Sequence, residues 1–243
     1  MNDGTGPASA REEDGEGSGA RSVIRALRVL ELFTVEHVML TVAAVSEALD
    51  IPRSTAHRLL TTLVGRGYLR QEIPGGPYAL GARVLALAQA YEASEPLTRA
   101  ALPAMYDLLA KTGESVALHI RQSAHTRMCL HRIESAHPMQ IVIPIGQPMP
   151  LELGAAGRVL RLSADDARRG EAIVSRGERV PNACGIAAPI FDHRGTVVAA
   201  LDISGPLDRF PPAATARHRK AVMAAARRVS QTLGYRPSTT RRA

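Results

Sequence analysis

Four histidines, His119, His125, His131 and His137, recur every six residues, and a metal site is the first chemistry such a row suggests. Metal ligands usually come as close pairs on one element. The alternation around these four spreads them over two strands and two turns, so no metal is expected. Two cysteines, Cys129 and Cys184, are too few for a disulfide scaffold or a four-cysteine zinc site. The sequence sets no base beside either, so both read as buried thiols rather than nucleophiles. No glycine-rich phosphate loop is present, and no cofactor is expected. A different cluster does carry chemistry. Between Asp50 and Glu72 stand Arg53, Arg58, Arg66 and Arg70, with no acid among them. A phosphate backbone responds to a local field of this kind, although a merely solvated basic face has the same composition.

The whole-chain charge is less informative. The 243 residues carry +7, yet residues 22–80 contribute six arginines against five acids. The chain is 45% hydrophobic and 22% charged, ordinary for a globular protein of one large or two smaller domains. No uncharged apolar run nears the ~18 residues of a membrane span. Residues 1–21 hold two arginines, five acids and five glycines and no apolar core. They read as a disordered tail rather than a secretory signal, with the cytoplasm as the expected setting.

The elements that position the basic cluster follow from periodicity. Ser22 is a candidate helix cap, with Val23, Leu27 and Leu30 expected on the inward face. A second helix starts at Thr41 and buries Val42, Val45 and Leu49. Pro52 suits the start of a third, over residues 52–65, where Ala56, Leu59, Leu60 and Leu63 form an apolar stripe. Its other face shows Arg53, Ser54, His57, Arg58 and Thr61. Two short strands follow around Pro74-Gly-Gly-Pro77. This is the order of a winged helix-turn-helix, whose third helix projects its polar face. A linker helix over residues 81–94 carries Val84, Leu87, Ala88 and Tyr91, a stripe to be buried against a dimer partner or a neighbouring domain.

Residues 95–236 read as an α+β domain. A helix over 97–111 precedes strands at 116–120, 127–133 and 140–145. Helices are expected at 154–162 and 165–176, then a hairpin of strands 185–191 and 196–204, then a helix over 212–233. Residues 237–243 form a second tail.

These motifs together resemble the isocitrate lyase regulator (IclR) family of bacterial transcription factors. The resemblance rests on Arg25-Ala-Leu-Arg-Val-Leu-Glu-Leu-Phe33, Ile51-Pro-Arg-Ser-Thr-Ala-His-Arg-Leu-Leu60, Arg66-Gly-Tyr-Leu69 and Tyr78-Ala-Leu-Gly81. Further pieces are Thr112-Gly-Glu-Ser115, Arg132-Ile-Glu-Ser135, Gly154-Ala-Ala-Gly-Arg158, Ile186-Ala-Ala-Pro-Ile190 and Ser204-Gly-Pro206. It implies a winged helix on double-stranded operator DNA, a helical linker, and a GAF-like domain that binds a small-molecule effector, in homodimers or homotetramers. Carried over by position, Arg53, Ser54, Thr55, His57, Arg58 and Thr61 are the recognition-helix residues, although His57 can instead be a packing residue. Ser22, Arg25 and Arg70 fall at phosphate-contact positions.

The resemblance places an effector pocket between the sheet and the helix start Leu153-Gly154-Ala155, whose N–H groups can meet an anion. Where relatives that bind oxo-acids often have Cys and two Ser, this chain has Gly185 (with Cys184 before it), Asp202 and Ser204. Asp202 either repels a carboxylate effector or pairs with a core arginine. Alternation is expected to align Val198, Ala200, Asp202 and Ser204. Glu152 adds an acid at the helix entrance, Gly185 widens the site for a larger, ring-containing ligand, and Met128, Leu130, Ile141 and Ile143 supply apolar walls. A ligand-responsive regulator, a repressor rather than an activator, is the reading. A small-molecule-binding enzyme or scaffold that uses the helical domain for assembly is the alternative.

Overall fold

The computed structural model describes residues 13–236. The chain divides into two compact units at Ser94/Glu95.

The first unit begins with α1, Glu13–Glu31, so the helix starts nine residues before Ser22. Ser22 is therefore mid-helix and not its cap, and residues 13–21 do not belong to a disordered tail; residues 1–12 and 237–243 lie outside the described residues. The buried face of α1 is also rotated from the expected one. Val29 is buried, with Ala26, Leu30 and Phe33 packed beside it, whereas Val23 and Leu27 are 60% and 54% exposed. Helix α2, Val42–Leu49, is capped by Thr41, whose hydroxyl accepts the Ala44 N–H at 3.2 Å. Asp50 ends it in the left-handed region at φ 50°. Helix α3, Arg53–Gly65, starts after Pro52 and buries Ala56, Leu59, Leu60 and Leu63 against α1 and α2. Strands β1, Leu69–Gln71, and β2, Tyr78–Leu80, pair antiparallel as the wing. Helix α4, Ala82–Ser94, buries no residue; Leu85, Leu87 and Tyr91 are exposed.

The second unit is built on one antiparallel sheet. Helix α5, Pro96–Thr112, ends at Gly113 with φ 72°, a conformation glycine adopts without strain. Then come β3, Ser115–Arg121; β4, Thr126–Ile133; β5, Pro148–Pro150; α6, Gly154–Leu160; α7, Ala164–Arg169; β6, Ile173–Arg176; β7, Ala183–Phe191; β8, Val197–Pro206; and α8, Pro212–Thr232. The strand order is β5-β4-β3-β8-β7-β6. On one face, Leu118, Ile186, Ile190, Leu201 and Ile203 pack against α5 and α8 through Met105, Leu108, Val222 and Val229. On the other, Ala187 and Ala200 pack against Ala155, Ala156 and Val159 of α6.

Three local expectations fail here. The segment 140–145 is not a strand; it pairs with the sheet only through an isolated bridge, Ile145 to Cys129, and the edge strand is β5 instead. Residues 165–176 are not one helix. Helix α7, capped by Ser163, stops at Arg169, and residues 173–176 pair with β7. Val198 does not align with Ala200, because a register shift between Ile190 and Phe191 brings Val197 rather than Val198 to the α6 face.

Candidate functional site

In the first unit, burial of the α3 stripe forces the opposite side outward. Arg53, Ser54, His57, Arg58 and Thr61 are all exposed, spaced i, i+1, i+4, i+5 and i+8 along one face. Thr55 is half-buried. His57 is exposed and so is not a core-packing residue. Arg70 is exposed on β1, with its guanidinium on the Glu72 carboxylate. Ser22 and Arg25 are exposed on α1, a separate element from the α3 face. Exposed guanidiniums on a short helix with no acid among them form a face that attracts phosphate and can reach base edges.

In the second unit, a small cavity lies between the sheet and α6. It is lined by eight of the eleven expected pocket residues: Ile141, Ile143, Gly154, Ala155, Cys184, Gly185, Asp202 and Ser204. Leu153 is 40% exposed and lies outside it. Met128 and Leu130 lie outside it too, Leu130 packing on the α5/α8 side. Alternation along β4 gives the cavity side to their neighbours, Arg127 and Cys129, both buried. Glu152 is also away from the cavity, near Arg121 and Arg161. Besides Asp202, the acid that does line it is Glu178, on the loop after β6.

Glu178 changes the chemistry of the α6 start. Its Oε2 accepts the Gly154 N–H at 3.1 Å, and its Oε1 accepts from Arg158 Nη1 at 3.1 Å. Ser175 Oγ accepts the Ala155 N–H at 3.0 Å. The N–H groups expected to meet a ligand anion are thus satisfied by the chain itself. Gly185 does not widen the cavity either. A Cβ there would sit 3.2 Å from Ser175 Oγ and 3.8 Å from Ala155 Cβ, so those side chains already fill the space. The cavity is about 40 Å³, against about 150 Å³ for an apolar cavity that takes benzene.

The polar lining is unusual for its burial. Arg127, Asp202 and Ser204 are 3%, 5% and 5% exposed. Arg127 Nη1 donates to the Pro150 carbonyl at 3.3 Å, but its Nε, Asp202 Oδ1 and Ser204 Oγ have no hydrogen-bond partner. Asp202 forms no arginine ion pair. His119 Nε2 lies 3.4 Å from its Oδ1, close enough for charge attraction but without hydrogen-bond geometry. Burial holds the Arg127 guanidinium below its usual range; Asp202 opposes that shift, and the nearby Arg179 adds to it. Burial, with Asp202 beside it, pushes the Cys129 thiol up to about 12, so it stays protonated at neutral pH. Of the other histidines, His125 and His137 are exposed. Among the described residues no three metal-type side chains converge, and no helix is long and apolar enough to cross a membrane.

A winged helix with an open basic recognition face, carried on the same chain as an α+β domain with a buried polar cavity, is the build of a DNA-binding transcriptional regulator. Residues 22–72 match the IclR helix-turn-helix domain, and residues 89–175 and 160–231 match the bacterial transcriptional regulator IclR C-terminal domain. The chain belongs to the IclR family; it is a DNA-binding regulator of transcription, not an enzyme. It is similar to the HTH-type transcriptional repressor AllR of Klebsiella pneumoniae, 25% identical over 93% of this chain and 95% of that one. It is also similar to the transcriptional repressor IclR of Escherichia coli, 26% identical over 88% and 90%. Among solved structures, an IclR-family transcriptional regulator of Rhodococcus sp. is 30% identical over 95% and 98%, with a TM-score of 0.54. An IclR homolog of Microbacterium hydrocarbonoxydans complexed with 4-hydroxybenzoate shares the fold, at 22% identity, 87% and 98% coverage and a TM-score of 0.73.

Proposed function

We propose that this protein represses transcription as a homodimer, pairing further into a homotetramer, and that a small molecule in the α6 cavity alters its grip on the operator. The observation that carries this reading is the exposed, acid-free face of α3. In this reading Arg53 and Arg58 read guanine in the major groove, with Ser54, Thr55, His57 and Thr61 on bases or phosphates. Ser22, Arg25 and Arg70 serve as phosphate contacts that set register without reading sequence. The relatives named as repressors support the direction of regulation, and an operator target implies the cytoplasm.

Dimerisation is supported by apolar side chains left uncovered on the single chain. Val23 and Leu27 of α1 and Leu87 and Tyr91 of α4 are exposed, and burying such a stripe against its own copy is favourable at roughly 25 cal/mol per Å². The cavity, through Ile141, Ile143, Gly154, Ala155, Cys184, Gly185, Asp202 and Ser204, holds the effector, which shifts the population of arrangements of the linked DNA-binding units. The experiment is gel mobility of the full chain on its own upstream DNA across salt concentrations, with light scattering on the same sample. Salt-sensitive binding by a dimer or tetramer is expected. Binding that ignores sequence, or a monomer in solution, overturns the reading.

A further inference from the structure

We propose that the effector is a short aliphatic hydroxycarboxylate, seated with its carboxylate at Arg127 and Arg179 and its hydroxyl at Asp202 and Ser204. This rests on the reading of the α6 cavity as the effector site, and it names the ligand class from the cavity's own unpaired groups.

A buried polar atom without a partner costs free energy, and a buried charge costs more. Three such atoms line one small cavity: Arg127 Nε, Asp202 Oδ1 and Ser204 Oγ. They are of two kinds. Arg127 can only donate, and an ionised Asp202 can only accept. A ligand that satisfies both must present an acceptor, best a charged one, at one end and a donor at the other. A hydroxyl both donates and accepts, so it can give its proton to Asp202 while accepting from Ser204.

Charge narrows the class further. Arg127 and Arg179 face the cavity with Asp202, and Glu178 is occupied by Arg158 and Gly154. The formal charges of Arg127, Arg179 and Asp202 sum to one positive charge, with the His119 imidazole 3.4 Å from Asp202 Oδ1 on the far side. A hydroxycarboxylate brings one negative charge and balances it. A zwitterionic amino acid leaves the excess in place, and a dicarboxylate sets its second carboxylate against Asp202. An oxo-acid or a plain acid offers Asp202 no proton. The cavity, about 40 Å³, suits a short chain better than the bulkier 4-hydroxybenzoate that the homolog holds.

The test is calorimetry on the full chain with matched probes: glycolate, lactate and 3-hydroxybutyrate against acetate, propionate, butyrate, pyruvate, alanine, succinate and 4-hydroxybenzoate. At least one hydroxy acid should bind about tenfold or more tighter than its parent acid, because a site built around a ligand hydroxyl rejects the analogue lacking it. Asp202→Leu, which leaves no acceptor at this position, should erase that preference, so that the pair bind alike. Arg179→Gln, a half-buried position, should weaken every carboxylate about tenfold while the fold, read by melting, is kept. No binding by any hydroxy acid overturns the proposal. So does tighter binding of pyruvate, alanine, succinate or 4-hydroxybenzoate, or a hydroxyl preference that survives Asp202→Leu. Operator binding without ligand is read on the same preparations. Its loss in wild type with hydroxy-acid binding intact faults the regulator reading alone; the reverse faults this assignment alone.

Discussion

The outward face of α3 and the cavity beneath α6 are both built on arginine, and they use it in opposite ways. On α3 the guanidiniums of Arg53 and Arg58 stand in water. They keep their hydration, cost the fold nothing, and act at a distance that salt shortens. In the cavity Arg127 is stripped of water and lacks a partner for Nε. Such a charge is costly until something matches it, so it discriminates between ligands where an exposed one only attracts. An exposed cation suits a polymer with a phosphate at every step. A buried one suits a single molecule of defined shape.

The contrast breaks most visibly where a buried charge loses its mate. Arg209 donates to both oxygens of Glu114, at 2.6 Å each, and Glu114 is buried. Arg209→Ala should destabilise the second unit by about 3 kcal/mol, because the Glu114 carboxylate stays buried and unpaired. Chemical denaturation of the variant checks this; a loss near that of an exposed ion pair would mean that burial is not what sets the cost. Next in size is Arg58→Ala. It should cost operator affinity on the order of 1–3 kcal/mol if Arg58 reads a base, and leave stability unchanged. A variant that instead binds all sequences equally weakly, with a salt slope reduced by about 1, would mark Arg58 as a phosphate contact.

A smaller effect tests burial through pH. His218 is buried edge-on to Phe210, with ring centroids 5.3 Å apart. Burial, with Arg217 nearby, holds its imidazole below the ordinary value against the pull of Glu114. A histidine lowered in the folded state is protonated first in the unfolded one. Its contribution to stability is therefore full above about pH 6.5 and is lost as pH falls below that. Replacing His218 by Gln should flatten the melting temperature between pH 7 and pH 5; an unchanged slope would assign the acid sensitivity elsewhere. Least of all should be the effect of alkylating agents on the native protein at pH 8. Cys129, pushed up to about 12, holds almost no thiolate there, and mass spectrometry should find it unmodified until denaturant is added.

Much of the first unit was legible because its signals are local. The α3 stripe of Ala56, Leu59, Leu60 and Leu63 fixes by itself which side of a helix turns outward, and with it Arg53, His57 and Arg58. Thr41 announced its helix as a cap, and it holds the expected N–H. Helix α1 was less legible. Val23 and Leu27 look like core residues, and the structure leaves them exposed.

The cavity was half legible, for a different reason. Alternation separates Arg127 and Cys129 from Met128 and Leu130, but not which pair meets the cavity, since both faces of this sheet are covered and β8 is buried almost throughout. An arginine, Arg127, set directly before the apolar run Met128-Cys129-Leu130 was the signal that could have identified the inner side.

Sequence alone therefore determined the recognition helix, the wing, the hairpin of β7 and β8, and the family, because helix period, turn residues and caps act within a few positions of themselves. Only the tertiary structure decided that Arg127 faces Asp202 across a cavity and that Glu178 occupies the start of α6. It also decided that residues 173–176 join the sheet. Each of these depends on pairing between segments distant in the chain, and on burial that no local pattern of side chains specifies.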